Sequence, residues 1–223
     1  MAVDEALLES AVHGGPCTLR WYRWEQATLS IGYFQVGDGA LNDPRFSTLP
    51  VVRRLSGGGA LIHDREWTYS CTLPASHPLA RDARQLYVLV HEAIIEALAG
   101  LGFSARMRGT SDASRGHAFL CFSRGDDFDV MMGDHKILGS AQRRRKGAVL
   151  QHGGLILQAS QKAPEFPGIF DCAGRSVPDE FLIARLCATV GSRLAAHVEP
   201  AAMQPDERRR ALEICPRPAS DSV

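Results

Sequence analysis

Arg53-Arg54-Leu55-Ser56-Gly57-Gly58-Gly59-Ala60-Leu61-Ile62-His63-Asp64 and, further on, Gly133-Asp134-His135-Lys136-Ile137-Leu138-Gly139-Ser140-Ala141-Gln142 carry most of the structural signal in this chain. The second stretch runs on to Gln151-His152-Gly153-Gly154. Three successive glycines let a backbone turn through φ > 0 and approach a ligand closely, because no Cβ intervenes. Their ordering costs conformational entropy without any packing return, so a turn alone does not account for them. Lys136 stands between an apolar strand and a Gly-Ser corner, the setting of a positioned cation rather than a loose surface charge.

Outward from these segments, residues 49–55 read as a short apolar strand that delivers the chain into the triple glycine. Residues 60–62 and 67–73 read as further strands, with Asp64-Arg65 turning between them. Residues 128–157 read as three short strands separated by Gly133-Asp134 and by the 143–147 stretch. Upstream, Val3, Ala6, Leu7 and Val12 lie near one face of a helix over 2–12, which His13-Gly14-Gly15-Pro16 ends. Residues 18–23 alternate apolar and polar side chains as a strand does, and 29–34 form the next strand. The clearest helix is 82–99: Leu86, Leu89, Val90, Ala93, Ile94, Ala97 and Leu98 make an apolar stripe at helical spacing, and Gly100 and Gly102 terminate it. Residues 105–118 are polar and glycine-bearing and read as a loop, as do 159–178 with Pro164, Pro167 and Pro178; 179–196 form a second amphipathic helix, and the tail from Arg217 frays. Strands in neighbouring groups, with helices between groups, specify an α+β fold with a mixed, mainly antiparallel sheet and packed helices.

The 223 residues fit one large domain or two small ones, and 45% apolar with 22% charged content is ordinary globular composition. Lys+Arg equals Asp+Glu, so no global field favours nucleic acid. Cysteines at 17, 71, 121, 172, 187 and 215 form no CxxC pair, and with no secretory signal ahead of them they read as reduced thiols of a cytoplasmic protein. No Cys/His cluster has zinc-ligand spacing, so no metal site is expected, and no apolar run approaches a membrane span.

The two glycine-anchored segments resemble the signatures of the catalytic domain shared by lipoate–protein ligases, octanoyltransferases and biotin–protein ligases. Ala2-Val3-Asp4-Glu5-Ala6-Leu7 and Leu29-Ser30-Ile31-Gly32-Tyr33-Phe34-Gln35 are similar to further segments of that family, and the resemblance covers nearly the whole chain. It implies one domain over 1–223 of the class II synthetase-like type, a mainly antiparallel sheet with helices on one side, and an extension over 198–223. In that family a short strand usually precedes the first helix, and this chain is expected to lack it; classical ATP-dependent lipoate ligases often carry an accessory domain of about a hundred residues, for which too little sequence is left after residue 197.

Within the family, the resemblance is closest to the cysteine-dependent octanoyltransferase branch. By itself Cys121, between Leu120 and Phe122, reads as a buried small hydrophobe; the resemblance makes it an acyl-carrying nucleophile. Lys136 then faces the activated carbonyl, stabilising the thiolate or the oxyanion or helping to deprotonate the incoming amine. Arg54, Ser56, Gly57, Gly58, Gly59, Ala60 and His63 form the loop over the acyl chain, with Arg54 the ligand contact and His63 and Asp64 pinning the loop. Gly139, Ser140 and Ala141 are small residues where a ligand passes a strand. His152 and Gly153 belong to a Leu-Gln-His-Gly segment that resembles the octanoyltransferase branch, ligases more often having His-His-Gly; His152 is expected to orient Lys136 or the acceptor amine. Asp129 leans the other way, toward the acidic residue of ligases.

The implied function is transfer of an octanoyl or lipoyl group from an acyl carrier protein, through Cys121, to a lysine of a lipoyl domain of 2-oxoacid dehydrogenases or of a glycine-cleavage H-type protein. No cofactor is implied for that reaction. The alternatives are an ATP- and Mg²⁺-dependent lipoate–protein ligase, using free lipoate or octanoate, and a non-catalytic acyl- or partner-binding member. The Arg143-Arg144-Arg145-Lys146 run suits an acidic carrier domain better than nucleic acid, since no aromatic residues interleave it.

Overall fold

The computed structural model describes residues 1–35, 43–109 and 125–215. In chain order the elements are α1 (Ala2–Val12), β1 (Thr18–Tyr22), β2 (Thr28–Ile31), β3 (Val51–Arg53), β4 (Leu61–His63), β5 (Glu66–Leu73), a 3₁₀ turn (Pro78–Arg81), α2 (Ala83–Ala99), β6 (Arg106–Met107), β7 (Val130–Met132), β8 (His135–Arg145), β9 (Ala148–Ile156), α3 (Ile169–Ala173), α4 (Asp179–Leu194) and α5 (Pro205–Ile214). The strands form two sheets. The larger is antiparallel throughout, in the order β1-β5-β9-β8-β7-β6; the smaller, β3-β2-β4, pairs β2 with β3 in parallel.

The long β8–β9 hairpin is the centre of the large sheet. Its turn is Lys146-Gly147, with φ of 48° and 85°, the pair of positive values that a two-residue turn between twisted strands requires. The 143–147 stretch therefore continues the strands to their tips rather than separating short ones. The odd-numbered residues Val149 and Leu155 of β9, with Tyr69, Cys71 and Leu73 of β5, face α2 and α4 in the main core. Asp82 caps α2, accepting from the backbone N–H groups of Arg84 and Gln85, and α2 buries Leu86, Val90, Ala93, Ile94, Ala97 and Leu98 on that face. Each fully buried aliphatic side chain there contributes about 2 kcal/mol, so a single charge at Val90 would disrupt the layer.

The other face of the sheet carries α1, whose Leu8 and Ala11 pack on Ala148 and Leu150. Helices thus cover both faces, not one as the resemblance implies. The reason lies in β9: it is apolar on both faces at residues 148–150, so each face needs a cover. Asp4 of α1 is fully buried and accepts from Tyr22 (3.1 Å), Ser70 (2.8 Å) and Arg20 (2.5 Å), locking the helix to β1 and β5. The extension beyond residue 198 includes α5, held against α1 by Arg210 bonding to Glu9 (2.7 Å). Two further elements were hidden in stretches that read as loops. Arg106–Met107 adds an edge strand within 105–118, and α3 forms within 159–178, where Asp171 accepts from the Gly168 N–H (2.9 Å) at the helix start.

Candidate active site

α1 covers only part of its face of the large sheet. Beyond it, the cross-strand rows Gly139–Gly154–Thr68 and Ala141–His152–Ser70 form a bare floor. The small sheet stands over this floor and leaves a narrow cleft of about 70 Å³ between the two. Arg54, Gly57, Gly58, Leu61 and His63 line its roof, and Lys136, Gly139, Ser140, Ala141, His152, Gly153 and Gly154 its floor and end. The two glycine-anchored segments, remote in sequence, therefore face each other across one space.

A hydrogen-bond chain holds the roof. Arg54 donates to Ser30 Oγ (2.6 Å) and to the carbonyls of Ser30 (2.8 Å) and Gly59 (2.6 Å). Ser30 Oγ in turn meets His63 Nε2 (2.7 Å), and His63 Nδ1 meets Glu66 Oε1 (2.7 Å). A carboxylate oxygen only accepts, so the Nδ1 proton of His63 points at Glu66, and Ser30 Oγ, which accepts from Arg54, is the partner of Nε2. Trp24 stacks on the same imidazole at 4.3 Å. Arg54 thus binds the loop's own carbonyls and shapes the roof, and it lines the cleft. His63 does pin the loop. Asp64 does not: with Ala60 it lines a separate, smaller cleft of about 30 Å³. Ser56 lies beneath the roof, its Oγ 2.5 Å from His152 Nε2, and Gly59 contributes its carbonyl to Arg54.

Lys136 closes one end of the cleft. Its Nζ lies 2.8 Å from Asp129 Oδ1, both side chains being buried. A Cβ on Gly139 would stand 2.6 Å from Lys136 Cε and 2.9 Å from Nζ, so the glycine is what lets the lysine fold over the floor. Burial raises the Asp129 carboxyl above its ordinary range, with Lys136 opposing that rise. Arg108 Nε is 3.5 Å from Asp129 Oδ2, which also accepts the Asp126 N–H (2.8 Å). The partner that orients Lys136 is therefore Asp129, not His152. His152 is engaged with Ser56, and burial lowers its pKa to about 4 against the opposing pull of Asp4, 3.9 Å away, so it is neutral near pH 7.

Ser140 departs from expectation as well. Its Oγ turns to the α2 side of the sheet, where it meets Tyr69 (2.7 Å) and His91 Nε2 (2.7 Å). Gln151 donates to the Tyr69 hydroxyl (2.8 Å), and His91 Nδ1 bonds the Phe128 carbonyl (2.5 Å). Burial lowers the His91 pKa to about 4. With a carbonyl rather than a carboxylate behind the imidazole, this network stiffens β8 under the floor and leaves only the Ser140 backbone toward the cleft. Cys121 lies outside the described residues. Among the described residues no group of His, Cys, Asp and Glu could hold a metal ion, and no helix is long and apolar enough to cross a membrane.

Asp4, Ser30, Glu66, Thr68 and His91 were not legible as parts of the site. Asp4 reads as an ordinary acid in a first helical turn, and His91 interrupts no apolar stripe; each acts through a partner on another element, and spacing along the chain carries no trace of that.

Comparison with known proteins gives this arrangement a family. Residues 1–171 match the lipoyl protein ligase A/B catalytic domain. The octanoyltransferase LipM of Kyrpidia tusciae is 31% identical, over 99% of this chain and 92% of its own length. The octanoyltransferase LipM of Oceanobacillus iheyensis is 39% identical over 70% of this chain, and the match spans 59% of that relative. A candidate lipoate protein ligase from T. acidophilum, solved with bound lipoic acid, superposes with a TM-score of 0.76 at 25% identity, over 95% of this chain and 86% of that one. With three quarters of its length under the family match, the chain belongs to the lipoyl protein ligase A/B catalytic domain family.

Proposed function

We propose that this protein is an octanoyltransferase of protein lipoylation, moving an octanoyl group from an acyl-carrier thioester to a lysine of a lipoyl domain or of an H-type protein. The observation that carries the reading is the cleft itself: a lysine ammonium held at the end of a small-residue floor, beneath a glycine roof, in a chain whose relatives are octanoyltransferases. The Leu150-Gln151-His152-Gly153 segment supports the transferase branch, and its His152 works as a neutral hydrogen-bonding group beneath the roof.

In this reading the thiolate of Cys121 attacks the donor's acyl carbon. The carbon–sulfur bond to the carrier breaks, the carrier thiolate leaves and takes up a proton, and the octanoyl group rests on Cys121 as a thioester. Thioester exchange is nearly balanced and needs no nucleotide. The acceptor lysine, as the free amine, then attacks the same carbon; the amide forms, the Cys121 thiolate departs, and the amine's proton is lost to solvent. Lys136 stabilises the oxyanion of both tetrahedral intermediates. A free thiol nucleophile requires a reducing compartment, which suits a reaction in the cytoplasm.

Intact-mass measurement after incubation with octanoyl-acyl carrier protein tests the reading. We expect one octanoyl adduct, sensitive to hydroxylamine at neutral pH and abolished in C121A. An enzyme that stays unmodified, or an adduct that persists in C121A, counts against it. The competing reading is an ATP-dependent ligase, favoured by the likeness to the T. acidophilum protein with lipoic acid. It predicts pyrophosphate exchange dependent on lipoate or octanoate and indifferent to C121A.

A further inference from the structure

We infer that Asp129 is a positioning residue of the transfer reaction: its carboxylate fixes the Lys136 ammonium over Gly139, at the end of the cleft where the acyl carbonyl must lie. The inference deepens the octanoyl-transfer reading and rests on it. Three independent features converge on this one contact. The first is how firmly the carboxylate is held. The 126–129 turn bonds to itself, Asp129 N–H to the Asp126 carbonyl (3.0 Å) and Asp126 N–H to Asp129 Oδ2 (2.8 Å), while the Asp129 carbonyl accepts from Arg108 N–H (2.8 Å). Oδ2 is thus occupied by the turn and by Arg108 (3.5 Å), and Oδ1 is the oxygen aimed at Lys136 (2.8 Å).

The second feature is space. Glycine at 139 admits the lysine's last two atoms to a position that any other residue's Cβ would contest at 2.6–2.9 Å. The third is the register. β7 and β8 slip by one residue between Val130 and Met131, so Lys136 pairs with Met131 while Leu138 pairs with Val130. That bulge carries Lys136 to the cleft face beside Gly139 and brings it against the 126–129 turn. Bulges re-aim side chains in this way. A long, flexible lysine left alone would spread over many rotamers. A pre-formed contact removes that freedom before the substrate arrives, which is the condition for electrostatic stabilisation of a developing oxyanion. Among the described residues, the charged or titratable groups around the pair include Arg108, Asp126 and His91.

The test uses the full-length protein and two readouts. In ¹⁵N-labelled protein, a buried, ion-paired ammonium exchanges slowly enough with water for its Nζ–H signal to be observed. We expect such a signal for Lys136, assigned by its absence in K136R, and its loss in D129N. We expect kcat for octanoyl transfer to fall about a hundredfold in D129N with KM for the octanoyl carrier unchanged, and to recover in part in D129E. An Nζ–H signal that survives in D129N, or a D129N kcat equal to wild type, overturns the inference. Loss of the signal in D129N in a wild type without any octanoyl transfer would overturn the transfer reading while supporting the placement of Lys136 by Asp129. If D129N does not fold, D129E decides: one methylene displaces the ammonium, so a folded D129E with wild-type kcat overturns the inference, and one with reduced kcat and unchanged melting supports it.

Discussion

A methyl group added at residue 139 would meet the far end of the Lys136 side chain, not the backbone. The flexible end of the lysine can give way, but only by leaving Asp129 and the cleft. We therefore expect G139A to melt within a few degrees of wild type while octanoyl transfer falls at least about tenfold, through kcat. A large loss of stability with proportionate activity would show instead that Gly139 serves packing. Arg54 behaves in a related way at the same scale. Its sequence setting before the triple glycine marks it as important, yet its guanidinium is consumed by Ser30 and by the roof's own carbonyls. An arginine presents five donors in a rigid fork, and a glycine loop presents carbonyls that no side chain shields. The two bond each other through Nη2, Nη1 goes to Ser30, and the roof takes its shape from those contacts.

Between elements, one short bond joins roof to floor: Ser56 Oγ to His152 Nε2, from the glycine loop to β9. Removing it in S56A leaves a buried neutral imidazole nitrogen without its partner. We expect a loss of about 1–3 kcal/mol in urea unfolding and a rise in KM for the acyl donor as the roof loosens; unchanged KM would mean the roof is held without it. The elements themselves were largely legible. Alternation and turn residues give β1, β5 and the β7–β9 meander, and the apolar stripe gives α2, because these depend on local pattern. The division into two sheets was not, since β2, β3 and β4 are three or four residues long and differ from the others only in whom they pair with. Nor were the residues that steady the site. Asp4, Glu66 and His91 act across α1, β5 and α2 on strands and loops far away in sequence, whereas the glycines and Lys136 announce themselves by their immediate neighbours.

Across the whole molecule, two imidazoles are folded into opposite faces of the same sheet: His91 beneath the floor with Ser140, and His152 in the cleft with Ser56. Burial is the main cause in each case, and each pKa is lowered from 6.5 to about 4. In the unfolded chain both would take up a proton near pH 6.5, while in the fold both resist protonation until about pH 4. The unfolded state therefore binds more protons throughout that window, and stability must rise with pH across it. The contribution is complete above pH 6.5 and is lost as pH falls toward 4, on the order of 3 kcal/mol for each histidine. Asp129 works in the opposite sense. Its raised carboxyl holds a proton more readily in the fold than in the unfolded chain, so acidification favours the fold at that one residue and offsets part of the loss. Two histidines outweigh one carboxyl whose rise Lys136 opposes, and the net expectation is a protein that weakens steadily from pH 6.5 to 4. Urea unfolding at half-unit pH intervals reads this directly, and H91Q and H152Q, compared each with its own stability at pH 7, should each flatten the slope. A wild-type stability that stays level between pH 6.5 and 4 would mean that both rings accept a proton inside the fold, and burial would not be holding them neutral.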